Sequence, residues 1–315
     1  MNDYKLGLAG LRGLAACLVM LSHMALYNML PSFPILGFGV IGVMLFFVLS
    51  GFLMGSLYLS KPANFSSVSG FVNKRFARVY PLYFIVLVLF GTTYGLSGFE
   101  IFTHLVFLDG QYVFWTVLVE VKFYGLFIIL WLALQGRSER TQFITLLALY
   151  LACMFLPQMD KGSLLQNLQI FVLGMMIAVS GHRIEDRFGY YLPIGLLSLV
   201  GISSYALILH IDNMNSVYRI VPVQILMALL VLAATKPINW LTKPIAWNWV
   251  LKLGDWSFGI YLLHIPILKL FLALAISWEL YLWTMVIPAT ILIVYLSKTS
   301  YDLLERPARK YLVRV

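Results

Sequence analysis

Runs of about twenty apolar residues recur from one end of this chain to the other, and they constrain its fold more than any other feature. Each run is long enough to cross a hydrocarbon core roughly 30 Å thick as a helix. Of the 315 residues, 61% are hydrophobic and only 11% are charged, whereas a soluble domain is roughly a quarter charged. We predict ten spans, at approximately 8–28, 36–59, 79–97, 113–134, 142–157, 164–181, 189–209, 217–235, 255–274 and 281–299.

The basic residues predict the orientation of these spans, because cytoplasmic loops of membrane proteins collect lysine and arginine. With a cytoplasmic N-terminus, eighteen of the 22 lysines and arginines fall on the cytoplasmic side. Only Lys161, Arg219 and Lys269 fall on the outer side, and Lys122 lies within a span. We therefore predict an all-α integral membrane protein with about ten transmembrane helices and both termini in the cytoplasm. The net charge of +9 follows from this topology and from anionic lipid headgroups, and it requires no nucleic-acid partner.

The whole chain, 1–315, is predicted to form a single membrane domain. The longest extramembrane stretches, 60–78 and 236–254, are too short for a separate domain, and no internal repeat is visible. A segment at 101–108 has apolar residues at helical spacing, which predicts either a helix in the outer interface or a loop.

Arg12 and His23 are the first candidate functional pair, because ionisable groups inside membrane spans are costly and usually face a bundle interior or a wet cavity. They are eleven residues apart, which places them on one helix face about 16 Å apart along the axis. Arg12 would lie at the cytoplasmic interface and His23 nearer the outer surface. This spacing suits a donor substrate whose charged end is held at the cytoplasmic side while its reactive end extends across the membrane towards His23. The alternative for His23 is a structural hydrogen bond within the bundle.

Glu120 is the second candidate, because counting inward along the fourth span puts it about 10 Å from the outer boundary, close to the depth of His23. A carboxylate that accepts the imidazole N–H would fix its tautomer and stabilise the imidazolium. The alternative is that Glu120 pairs with Lys122 or with a neighbouring tyrosine hydroxyl.

Arg75 and Arg78 enter the third span three residues apart and are predicted to be neighbours on a helix surface. Two forked guanidinium groups beside Arg12 would make a phosphate clamp. The alternative is ordinary anchoring at the cytoplasmic interface.

Other polar residues in or near the spans favour structural roles. His264 precedes Pro266, which could leave a backbone carbonyl for the imidazole to bind. Glu305 is predicted to form an ion pair with Arg75, Arg78 or Arg306. Ser50 and Gly51 allow close helix approach or an opening for substrate. No spacing typical of a metal site or a serine hydrolase is present, so we expect no metal.

Six motifs in order resemble the bacterial membrane-bound acyltransferase family 3, which includes O-acetyltransferases of O-antigen, exopolysaccharide and nodulation factors. The motifs are LRGLAACLVMLSH, GVIGVMLFFVLSGFLM, NKRFARVYPLY, FWTVLVEVKFYG, SFGIYLLHIPIL and LLERP. The resemblance spans nearly the whole chain. Thr116 and Val117 stand where the family more often has Ser and Leu. The esterase-like domain often found at the C-terminus of this family is not expected, since the printed chain ends at Val315.

This resemblance implies that His23 is the catalytic histidine and that Arg12 helps it to engage the donor. Arg75 and Arg78 would hold the phosphates of acyl-coenzyme A, and Glu120 would be a functionally important acid. The implied donor is acetyl-coenzyme A, and the implied acceptor is a saccharide or glycolipid at a bacterial inner membrane. An acetyl-histidine intermediate is an alternative to direct proton abstraction.

The rival hypothesis is a multi-pass transporter of an anionic or glycolipid substrate, in which the same ionisable residues form a binding or proton-relay site. The absence of an internal repeat and of paired broken helices argues against it. The oligomeric state and the identity of the acceptor are not readable from the sequence.

Overall fold

The computed structural model describes residues 3–157, 159–210, 214–240 and 242–312. Within these ranges the chain is helical and contains no strand. Its helices are α1 (Asp3–Leu26), α2 (Phe38–Tyr58), α3 (Phe65–Tyr94), α4 (Gly98–Leu105), α5 (Phe114–Leu134), α6 (Glu139–Met154), α7 (Leu164–Ser180), α8 (Leu192–His210), α9 (Val221–Ala234), α10 (Asn248–Asp255), α11 (Ser257–Ser277), α12 (Val286–Ser300) and α13 (Arg306–Leu312). A π-helical turn, Tyr301–Glu305, joins α12 to α13.

Among the described residues, seven helical segments are long and apolar enough to cross a membrane. They are Leu6–Leu26, Ile35–Tyr58, Phe65–Tyr94, Phe114–Leu134, Leu164–Arg183, Ser257–Ser277 and Leu282–Tyr311. A helix satisfies all of its interior backbone polar groups within one segment, which is why apolar runs of this length adopt it in lipid. The predicted fold class is therefore confirmed, because the chain is an all-helical integral membrane protein.

A helix is present at each of the ten predicted spans, but three of them are not among these seven segments. Helix α6 has 16 residues and α9 has 14, which is shorter than the roughly 20 residues that cross a bilayer. The third helix outside these seven segments is α8, which has 19 residues. The count of ten spans and the cytoplasmic position of both termini stay predictions.

The third predicted span begins too late, because α3 starts at Phe65 and not at 79. The Asn64 side chain caps this helix by accepting a hydrogen bond from the Ser67 N–H at 2.8 Å. Hydropathy missed the first turns because they are polar, although lysine and arginine are good helix formers. The stretch 60–78 is thus largely helical and carries Arg75 and Arg78 on a rigid element.

The first five residues of the segment 101–108, predicted as either an interfacial helix or a loop, belong to α4, and the last three follow the helix. Ser97 and Glu100 make a reciprocal capping box at its start. The hydroxyl of Tyr83 donates a hydrogen bond to the carbonyl oxygen of His104 at 2.9 Å, which ties α4 to α3.

Glycines allow the central helices α2 and α7 to pack backbone against backbone. A Cβ atom added to Gly51 would overlap the carbonyl oxygen of Phe171, and one added to Gly174 would overlap that of Val48. The prediction that Gly51 allows close helix approach is therefore confirmed.

Replacing Gly174 by alanine should destabilise the protein, because the added methyl group meets backbone that cannot move aside. Overpacking of this kind costs about 1–3 kcal/mol. Gly70, in α3, is the matched control, since no atom lies within 4 Å of its added Cβ. Thermal melting in detergent should give a lower Tm for Gly174→Ala and a normal or raised Tm for Gly70→Ala. A wild-type Tm for Gly174→Ala would contradict the packing described here.

Candidate active site

Two neighbouring cavities follow α1 through the bundle. We call the first the arginine cavity, whose lining comes from α1, α2, α3, α5 and α11 and includes Arg12, Ser50, Arg78 and Glu120. The second, the histidine cavity, has a volume of about 520 Å³ and is lined by His23 together with tyrosines, Trp115 and Lys161.

Val43 and Tyr261 line both cavities. The two cavities therefore adjoin at these two side chains. The Tyr261 hydroxyl donates a hydrogen bond to the Val113 carbonyl oxygen at 3.2 Å, which fixes the position of this ring. Arg12 and His23 lie on the same face of α1, as their spacing predicts, but each opens into its own cavity.

His23 is held by one backbone carbonyl and by a second histidine. Its Nδ1 lies 2.9 Å from the carbonyl oxygen of Val19 and 3.3 Å from Nε2 of His264. The two imidazole rings meet edge to face, with centroids 4.8 Å apart. His264 is fully buried, and its own Nδ1 lies 3.2 Å from the carbonyl oxygen of Ile260.

These contacts determine where the histidine protons lie. A carbonyl oxygen only accepts hydrogen bonds, so Nδ1 carries the hydrogen on both rings. Nε2 of His264 is then an acceptor for the Nδ1–H of His23, which it shares with the carbonyl oxygen of Val19. The lone pair of His23 therefore resides on Nε2, which is the arrangement that a general base requires.

Sequence reasoning did not find the contact between His23 and His264. It predicted instead that Pro266 would leave a carbonyl for His264. That carbonyl would belong to Leu262, four residues before the proline, whereas His264 binds the carbonyl of Ile260. The two histidines are 241 positions apart in the sequence, so no local signal predicts their contact.

Glu120 lies in the arginine cavity and does not hydrogen-bond to His23. Its Oε1 accepts hydrogen bonds from the hydroxyl groups of Ser50 and Tyr124, both at 2.6 Å. Of the two alternatives, contact with His23 is not formed, because equal depth fixes height in the membrane but not the direction in which a side chain points. The alternative of a tyrosine partner is confirmed, while Lys122 is exposed.

Arg12, Arg78 and Arg309 form a cluster of three guanidinium groups close enough to repel one another. The negative charge of Asp255 acts on both Arg12 and Arg309 and offsets part of this repulsion. Glu305 was predicted to pair with Arg75, Arg78 or Arg306. Its carboxylate instead accepts a hydrogen bond from Arg309 at 3.1 Å, one helical turn further along.

Arg75 lies apart from this cluster, although it is only three residues from Arg78. Its guanidinium carbon is 5.6 Å from the ring centroids of both Phe71 and Tyr124. It faces a separate apolar groove between α3 and α5. The predicted clamp thus has Arg12 and Arg78 in one cavity, whereas Arg75 supports the ring of the tyrosine that binds Glu120.

Comparison with known proteins identifies a family. A family model described as an acyltransferase domain matches residues 5–298, which is nearly the whole chain. No curated protein sequence and no solved structure matches.

Proposed function

This chain belongs to the membrane-bound acyltransferase family 3, and from that premise we propose that its acyl donor is acyl-coenzyme A and its acceptor is a saccharide. The acyl group is most simply acetyl, and the acceptor is a hydroxyl of a saccharide or glycolipid at the outer face of a bacterial inner membrane. The observation that carries this proposal is the pair of adjoining cavities, one rich in arginine and one containing a histidine.

The donor binds in the arginine cavity. Coenzyme A has a polyanionic nucleotide and a long thin arm that ends in the thioester. Arg12 and Arg78 offer planar forks that match phosphate oxygens, and Arg309 adds to the positive field. The arm passes between Val43 and Tyr261 and brings the thioester towards His23, over the roughly 16 Å that separate Arg12 from His23 along α1.

The acceptor enters the histidine cavity, and His23 acts there as general base. Its Nε2 takes the proton from the acceptor hydroxyl while the oxygen attacks the thioester carbonyl carbon. The new C–O bond forms as the C–S bond breaks. The coenzyme A thiolate leaves and takes the proton back from the imidazolium.

Glu120 acts within the donor site. Its contacts with Ser50 and Tyr124 favour a positioning role, in which the carboxylate holds these hydroxyl groups and partly balances the charges of Arg12 and Arg78. The contact of Arg75 with the Tyr124 ring supports the same arrangement from the groove between α3 and α5.

Family membership favours an enzyme over the rival transporter. The two hypotheses differ in whether the protein needs coenzyme A, because a transporter does not need to cleave a thioester. The test is thiol release from acetyl-coenzyme A by the detergent-purified protein, with and without a mixed polysaccharide and glycolipid extract. We expect release that depends on the extract. Absence of release, together with absence of coenzyme A binding, would favour the transporter.

Replacing His264 by alanine should lower kcat about tenfold and leave the KM for acyl-coenzyme A unchanged. The reason is that one hydrogen bond to the catalytic imidazole is lost and its ring is less well held. Initial rates at varied donor concentration measure both constants. His264→Gln should recover part of kcat, because a glutamine carbonyl oxygen can accept the same N–H. A change in KM alone would exclude a positioning role.

A further inference from the structure

The walls of the histidine cavity are aromatic on several sides. Trp115, Tyr112 and Tyr218 line it, and the rings of Trp115 and Tyr218 meet edge to face with centroids 6.1 Å apart. Flat apolar ring faces of this kind pack against the C–H faces of a sugar ring, while tyrosine hydroxyl groups remain available to its hydroxyls. The lining therefore suits a saccharide.

Lys161 gives this cavity a positive charge. Its ammonium group lies 5.6 Å from the Trp115 ring centroid, and its charge acts on the imidazole of His23. The cavity lining contains no aspartate or glutamate. Within the described part of the chain, no carboxylate forms an ion pair with Lys161.

A second lysine, Lys269, lies close to the aromatic residues of the cavity lining. The ammonium group of Lys269 lies 4.1 Å from the Tyr94 ring centroid and 5.7 Å from that of Tyr112, and Tyr112 lines the cavity. Only three basic residues are predicted on the outer side of the membrane. Two of them flank this cavity. The third, Arg219, donates hydrogen bonds to backbone carbonyl groups of α6.

We propose that the acceptor is an anionic saccharide whose negative group pairs with Lys161 while its sugar ring stacks on Trp115. This inference rests on the proposed function, since it names the class of acceptor for the same site. The anion is either a carboxylate on the sugar or the phosphate that joins a saccharide to its lipid carrier. In both cases it lies beside the hydroxyl that His23 deprotonates.

Binding measurements test this inference separately from acyl transfer. The probes are a galacturonate oligosaccharide, a neutral galactose oligosaccharide of the same length, and a neutral disaccharide joined to a short prenyl pyrophosphate. Binding to the detergent-purified protein is followed by tryptophan fluorescence at low salt. We expect at least one anionic probe to bind about tenfold more tightly than the neutral oligosaccharide, because a charged pair adds to ring stacking.

The variants assign the preference to Lys161. Lys161→Gln should remove it, and Lys161→Arg should retain it. Lys122→Gln is the matched control, since Lys122 is exposed on α5 and lines neither cavity. Preference for the galacturonate probe identifies a sugar carboxylate, and preference for the prenyl-linked probe identifies the linking phosphate.

Equal binding of all three probes by the wild type, or a preference that survives Lys161→Gln, would overturn the inference. Failure of the proposed function looks different. In that case a Lys161-dependent preference persists while no extract supports thiol release from acetyl-coenzyme A.

Discussion

Replacing His23 by alanine should reduce acyl transfer by a factor of about 10²–10⁴, the range expected when a general base is lost. Binding of acyl-coenzyme A should stay close to wild type, because the phosphates are held in the arginine cavity. The two effects separate because His23 and Arg12 open into different cavities. Thiol release measures transfer, and equilibrium binding of coenzyme A measures the donor site.

His182 provides the matched control for this substitution. It lies outside both cavities, and its side chain is 57% exposed. His182→Ala should therefore transfer at the wild-type rate. Full activity in a folded His23→Ala protein would exclude His23 as the base.

Replacing both Arg12 and Arg78 by alanine should raise the KM for acyl-coenzyme A at least a hundredfold. A hydrogen bond to a charged group contributes about 1.5–3 kcal/mol, and each arginine would lose at least one to a phosphate. Each single replacement should have a smaller effect, since Arg309 and the remaining arginine maintain part of the positive field. Initial rates at varied acetyl-coenzyme A concentration measure the effect.

Arg75→Ala is the control for the double variant, because Arg75 is a neighbouring arginine of the same helix that faces a different groove. Its KM for the donor should change by much less than that of Arg12→Ala combined with Arg78→Ala. An equal increase in KM from Arg75→Ala alone would show that Arg75 also holds the donor phosphates and would contradict the geometry of the arginine cavity.

Much of the fold could be predicted from hydropathy, because lipid forces each apolar run to satisfy its own backbone hydrogen bonds. The polar start of α3 could not be predicted in this way, since hydropathy detects the apolar part of a helix and not its extension beyond the membrane. The shortness of α9 was missed for a related reason, because flanking residues lengthen the predicted span, 217–235, without belonging to the helix. Helix α6 has the predicted length of 16 residues but begins three residues earlier than predicted.

The site was predictable only where one helix determines it. The shared face of Arg12 and His23 follows from an eleven-residue spacing on α1. Contacts between helices depend on the rotation of each helix about its axis and on which helices are neighbours. Three features of the site depend on such packing. They are the partners of Glu120, the contact between His264 and His23, and the position of Arg309 near Arg12.

Reconstitution into vesicles with one orientation tests the central claim most directly, which is that donor and acceptor meet from opposite faces of the membrane. Acetyl-coenzyme A labelled in its acetyl group is supplied on one face and the saccharide extract on the other. We predict labelled saccharide only when the donor is on the face of the arginine cavity and the acceptor on that of the histidine cavity. Labelled product formed only when both substrates are on the same face would contradict this account.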